Sequence, residues 1–367
     1  MRTAAIGLAL SIVVSATATA QATIEGGSIS GAQSTVVVAD LAPGGQNNAR
    51  YLTPVGNPAW DGVAQLWFRN SAGAVISGCT GSLLVGGWDI LTAAHCVNSS
   101  AIKSVDVRFQ TGPGTFITRT VSTTAQIKIR PGYTGGVIDS RDVAMLRLDA
   151  IADAWIPRYS LLNGSPMQQL ADLVGYGTTG NGVTGASDGN SFFTDAVVRR
   201  HGSQMWDLTC RTGGVACSVF IGVGAPPVRG VLVSDFEDGT AATNASCALF
   251  GNPGGALGAT VCQAGYGLNE VGLGPGDSGG PGFVAGQIAG VASWITSGNN
   301  GASGSFGAFN GHACVARISG VASDATAGND CMANYQFVDA AMVPEPATFA
   351  LFGIGLARVG FVRRRRA

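Results

Sequence analysis

The sequence predicts an all-β chain. Short β-branched and aromatic runs, "VAQLWF", "VDVRF", "FITRTV" and "QIAGVASW", are separated by Gly, Asn and Ser turns. No long helical periodicity precedes the C-terminal region, where a short helical stretch and a tail are expected, and no internal repeat is visible. Hydrophobic residues make up 46% and charged residues 12%, so the chain can bury a sizeable core and lacks the signature of disorder. A net charge of −1, with Lys and Arg scattered, argues against a nucleic-acid partner.

The chain begins "MRTAAIGLALSIVVSATATA", with Arg2, an apolar stretch and a small-residue "ATA" end. It reads as a secretory signal peptide cleaved after Ala20, the apolar part being short for a membrane span. Export suits the 8 cysteines, an even number compatible with disulfides in an oxidising compartment. Counting alone leaves about 105 pairings open. Zinc is disfavoured, because no suitably spaced histidines accompany the cysteines.

"GPGDSGGPGF", Gly274 to Phe283, sets the Ser278 hydroxyl among residues that free the backbone. Glycines at 276, 279 and 280 allow consecutive N–H groups to converge beside Ser278, as an oxyanion requires. A lone serine is a poor nucleophile at neutral pH, so a base and a group orienting that base must exist elsewhere. The chain has 3 histidines. His95, in "DILTAAHCVN", follows a strand end and a tight turn that would fix its ring. His201 and His312 lack such a frame and read as surface residues. Asp142, at the mouth of the strand-like run in "RDVAMLRLD", is the carboxylate suited to hold the imidazole tautomer, with Asp139 and Asp153 as competitors in turn-like surroundings.

"LTAAHC", "DVAML" and "GDSGGP", in the order His, Asp, Ser, resemble the chymotrypsin and trypsin family of serine proteases. The resemblance spans about Tyr51 to Met342, and it implies two packed antiparallel β-barrels. It implies that Ser278 attacks a peptide carbonyl, that His95 is the base oriented by Asp142, and that the Gly276 and Ser278 N–H groups form the oxyanion hole. It pairs Cys79 with Cys96 and Cys247 with Cys262, and spacing offers Cys210 with Cys217 and Cys314 with Cys331. Asp277 would then be held by a new N-terminal ammonium, freed at Ile24 or, at a more family-like distance from His95, at Tyr51. Gly272 stands where trypsin resembles a negatively charged well. Ser293 and Trp294 match the strand that binds substrate backbone, and Ile295 replaces a pocket glycine, so a preference for small apolar side chains is expected.

Between Gly175 and Ala248 the resemblance thins. There, Asp235, Glu237 and Asp238 offer oxygen ligands of the kind Ca²⁺ takes, although a solvated turn is the plainer reading and no cofactor is expected. The end of the chain, with Pro344, Glu345 and Pro346, an apolar segment Ala347 to Val362 and Arg363 to Arg366, resembles the PEP-CTERM sorting signal of Gram-negative bacteria. The apolar segment is short for a stable span, so membrane contact is expected to be transient, with exosortase-type machinery as partner. The implied organisation is a signal peptide (1–20), an extension or propeptide (21–50), a protease domain (51–342) and a sorting tail (343–367). Protein or peptide substrates and a periplasmic, surface or matrix location follow from the same resemblance.

Overall fold

The computed structural model describes residues 37–342, apart from 43–44, 54–55, 58, 113, 137, 189–197, 211–229, 252–260 and 319–329. The expected signal peptide, Ile24, Cys217 and the Pro-Glu-Pro tail lie outside the described residues, and so does the side chain of Cys210.

Two curled, antiparallel, seven-stranded sheets dominate the described residues. In spatial order the first contains Thr115–Val121, Ser104–Gly112, Val63–Arg69, Val75–Leu83, Asp89–Thr92, Ala144–Arg147 and Ile127–Ile129. The second contains Arg200–Met205, Leu170–Gly175, Pro281–Val284, Gln287–Ile295, Phe309–Cys314, Val231–Asp235 and Leu208–Cys210. A smaller sheet joins Gly185–Asp188, Thr179–Asn181, Val37–Val38 and Val271–Gly272. The all-β expectation with a short C-terminal helix is met, the helix being Asp330–Ala341.

Side-chain alternation sets the register of the first sheet. Leu66 lies opposite Cys79 on one side and Val107 on the other, and Ala64, Leu66 and Phe68 are all fully buried. A slip of one residue would turn this row away from the core. The same buried cluster continues through Val174, Tyr176, Phe283 and Val291, so the two lobes share apolar contacts. Helix Asp330–Ala341 clips onto both. The Asn334 side-chain amide donates to Ser140 O at 2.6 Å and to Cys314 O at 2.9 Å, and Cys331 is disulfide-bonded to Cys314. Cys79–Cys96 and Cys247–Cys262 are the other described disulfides, as expected.

Two histidine expectations are corrected. His312 lies within strand Phe309–Cys314, fully buried, where Nδ1 accepts from the Trp206 indole N–H at 3.2 Å and burial pushes the ring's pKa down to about 3. His201 lies in strand Arg200–Met205 and stacks on Trp60 at 4.0 Å, with burial and then the Arg199 charge lowering it to about 4. Glycine-flanked sequence hid both strands, because a residue without a side chain gives no alternation to read. The "TAAHC" turn is a helical turn, Ala94–Val97.

Arg199, with no exposed surface, ties the second lobe to the first. Its guanidinium meets Asp61 at 2.5 Å and donates to Thr53 Oγ1 at 2.9 Å, while its backbone N–H donates to Gln110 Oε1. Removing one partner of a buried pair strands the other charge. Asp61→Ala is expected to lower unfolding free energy by about 3–5 kcal/mol in chemical denaturation, whereas Asp153→Ala, which breaks the half-exposed pair with Arg119, is expected to cost under about 1 kcal/mol.

Candidate active site

Asp142 is fully buried, immediately before strand Ala144–Arg147. The turn that aims it is built by Asp139, whose carboxylate accepts from the backbone and hydroxyl of Thr134 and from Arg141 N. Asp139 therefore serves the turn, and Asp153 pairs with Arg119, which leaves neither competitor near the imidazole. Asp142 Oδ1 accepts from His95 N at 2.8 Å, and Oδ2 accepts from His95 Nδ1 at 2.6 Å. An ionised carboxylate only accepts, so the proton sits on Nδ1 and Nε2 is left as the free base. Ser293 Oγ also donates to Asp142 Oδ2, at 2.5 Å. Desolvation would lower the imidazole pKa, but the Asp142 charge and hydrogen bond outweigh it and hold His95 above its ordinary value of 6.5.

The serine loop belongs to the second lobe and is gripped by the first. Thr80, on strand Val75–Leu83, donates its N–H to Ser278 O at 2.8 Å and its hydroxyl to Gly276 O at 2.9 Å. Thr178 holds Pro275 O through both its N–H and its hydroxyl. Gly279 sits at φ +82°, where an added Cβ would lie 2.0 Å from Thr92 Oγ1, so only glycine fits. Gly276, at φ +97°, takes the other left-handed position.

Within this grip the backbone donors divide into two sets. The N–H groups of Asp277, Gly279 and Gly280 bond to Gly274 O, Ala292 O and Asp277 O. Those of Gly276 and Ser278 donate to no described residue. The Ser278 hydroxyl is partly exposed. The Cys96 sulfur lies 3.8 Å from His95 Nε2 and 3.7 Å from the Ser278 backbone O, which sets the serine backbone beside the ring. No hydrogen bond joins the Ser278 hydroxyl to the imidazole among the described residues, and contacts of this kind commonly tighten only when substrate binds.

The four residues expected to contact substrate have different surroundings. Gly272 lies with its Cα toward the Phe236 ring, 3.2 Å from where a Cβ would be, and toward Asn310 Oδ1. Trp294 is 3% exposed and covers Gly311, and Ile295 is 7% exposed. The Ser293 side chain points instead to Asp142. Phe236 was not visible from sequence as a neighbour of Gly272, because it sits in the stretch where the family pattern thins.

The family model "Trypsin" matches residues 59–206, and the model of the PEP-CTERM protein-sorting motif matches 343–366. Residues 59–206 thus match a trypsin-type serine protease domain. His95 and Asp142 lie inside the matched stretch, and Ser278 lies beyond it. No curated protein matches the chain. Among solved structures, the chain is similar to HL collagenase at 18% identity, covering 72% of this chain and 92% of that one with a TM-score of 0.44. It is also similar to neuropsin, a serine protease expressed in mouse brain, at 17% identity, covering 79% and 98% with a TM-score of 0.46.

Asp235, Glu237 and Asp238 do not converge as ligands among the described residues. Asp238 caps an exposed turn through Thr240 and Thr243, while Asp235 and Glu237 are buried. The donors that do cluster are Cys79, His95 and Cys96, whose sulfurs are bonded to each other and so unsuited to a metal.

NMR titration reads the balance of charge and desolvation directly on the His95 ring. It is expected to titrate above 6.5 in the native chain and below 6.5 in Asp142→Asn, where the carboxylate charge is gone and desolvation remains.

Proposed function

We propose that the trypsin-family domain is a serine endopeptidase in which Ser278, His95 and Asp142 act as nucleophile, base and orienting acid. Ser278 Oγ attacks the scissile carbonyl carbon while His95 Nε2 takes its proton, and Asp142 stabilises the imidazolium. The carbonyl oxygen, now negative, accepts from the Gly276 and Ser278 N–H groups, each such donor contributing about 3 kcal/mol of transition-state stabilisation. As the intermediate collapses, Nε2 returns the proton to the leaving amine. Water then attacks the acyl-enzyme by the reverse proton path. The observation that carries this reading is the 2.6 Å contact between Asp142 and His95, with the free face of the ring and the Ser278 backbone both against Cys96 Sγ. No cofactor is needed for these steps.

The reading extends to substrate and place of action. Gly272 brings no charge and faces the Phe236 ring, and Ile295 is a bulky buried residue where the family pattern has glycine, so small apolar side chains before the scissile bond are favoured. The sorting motif at 343–366 directs export in a Gram-negative bacterium. With the leader at 1–20, it supports surface or matrix delivery by exosortase-type machinery after transient membrane contact.

A fluorophosphonate is expected to label the native chain once per molecule and to leave Ser278→Ala unlabelled, as read by intact mass. Labelling that persists in Ser278→Ala would remove the proposed nucleophile. On a peptide library the native chain is expected to cleave after Ala or Val, and Ile295→Gly to admit larger residues. Dominant cleavage after Lys or Arg would overturn the assignment of the pocket.

A further inference from the structure

The carboxylate beside the proposed nucleophile lies near a buried cation that the family resemblance did not supply. Asp277 is 1% exposed, and its two oxygens accept from Gly177 N at 2.7 Å and Gly274 N at 2.9 Å. It lies flat on the end of strand Leu170–Gly175, where a Cβ on Gly175 would be 2.1 Å from its Oδ1. The residue paired with Gly175 across the sheet is Arg200. Arg200 is 3% exposed, and its guanidinium donates to Asn47 Oδ1 at 2.7 Å. Burial pushes Asp277 up to about 7 while the two N–H groups and the Arg200 charge pull it back. Burial lowers Arg200 to about 10 while the Asp277 charge opposes that. The register sets Arg200 opposite the glycine that Asp277 covers, close enough for its charge to act on the carboxylate without an ion pair between them.

The resemblance assigns this role to an ammonium freed by cleavage at Ile24 or Tyr51. In the uncleaved chain, Tyr51 is an interior residue of the wall around Arg200. Its N–H donates to Asn48 O, its ring is fully buried, its hydroxyl donates to Leu268 O, and its carbonyl accepts from His201 N, while Leu52 bridges to Arg200. Around this intact segment the serine loop already has its two uncommitted N–H groups beside Ser278.

We propose that Arg200 is the positioning cation for Asp277, so that the serine loop is held in its working shape without a new N-terminus and the uncleaved chain is competent. The proposal rests on the reading of Ser278 as nucleophile. Arg200 acts through Asp277 and touches no reacting atom.

The test uses the full chain with its mass recorded before and after fluorophosphonate labelling. Intact wild-type protein is expected to label stoichiometrically with no loss of mass. Arg200→Met is expected to label at least 10-fold more slowly, with kcat reduced and KM nearly unchanged, and Arg200→Lys to recover most of the rate. Asp277→Asn should slow labelling comparably, and the double variant Arg200→Met with Asp277→Asn should be no slower than Asp277→Asn alone, because a residue acting through another has nothing left to act on. Wild-type rates in Arg200→Met would overturn the proposal, and so would losses that multiply in the double variant. Labelling confined to chains that start at Ile24 or Tyr51 would do the same, and that result needs no variant to fold. A chain that takes no label intact or cleaved removes the nucleophile itself, and the Arg200 assignment falls with it.

Discussion

One threonine joins the two halves of the site. Thr80 belongs to the first sheet, yet its N–H and its hydroxyl are both spent on carbonyls of the serine loop in the second. The same hydroxyl accepts from Tyr176 N, and its carbonyl accepts from Thr92 Oγ1, one turn before His95. Its neighbour Cys79 is bonded to Cys96, which follows His95 directly. A single strand position thus ties the His95 turn and the serine loop to the same point. Each of these hydrogen bonds contributes only about 1 kcal/mol net, but leaving a buried partner unmade costs more, so the set is coupled. The spacing of imidazole and hydroxyl inherits the rigidity of the strand.

Around that point, two buried carboxylates take opposite roles from their surroundings. Asp142 is surrounded by donors, the His95 N–H, the imidazole and the Ser293 hydroxyl, and it is the charge that keeps the ring basic. Asp277, with fewer donors and full burial, sits near neutrality and answers to a more distant cation. Environment separates their roles, as it does in other sites built from paired acids. The C-terminal helix reinforces the first of the two, since Asn334 bonds the Ser140 carbonyl and Asp330 accepts from the Ser140 hydroxyl, two residues before Asp142.

The candidate catalytic residues were legible in the sequence because each sits in a local motif whose residue types chemistry demands: "TAAHC", "DVAML" and "GDSGG". The Cys79–Cys96 and Cys247–Cys262 pairings came with the family resemblance, and Cys314–Cys331 from spacing. What escaped was everything defined across the fold. Thr80 is one threonine in a strand, and nothing nearby shows that it faces the serine loop. Arg200 reads as half of an exposed "RR" until strand register sets it opposite a glycine covered by Asp277. His201 and His312 looked exposed because Gly202 and Gly311 beside them break the alternation that marks a strand.

The stretch least legible in the sequence gathers buried acids. Asp207, Glu237 and Glu270 are buried close together, with Asp235 among them, and burial, followed by the charges of neighbouring acids, raises them to about 9, 9 and 8. Such groups hold their protons at neutral pH, because ionising several carboxyls in one low-dielectric volume is unfavourable. Glu270 precedes Gly272 by two residues, and Glu237 follows Phe236, whose ring faces Gly272. Ionised, the two acids would bring negative charge to this part of the second lobe. Held neutral by their own burial, they do not, and a count of acidic residues in the sequence overstates the charge that the fold displays there.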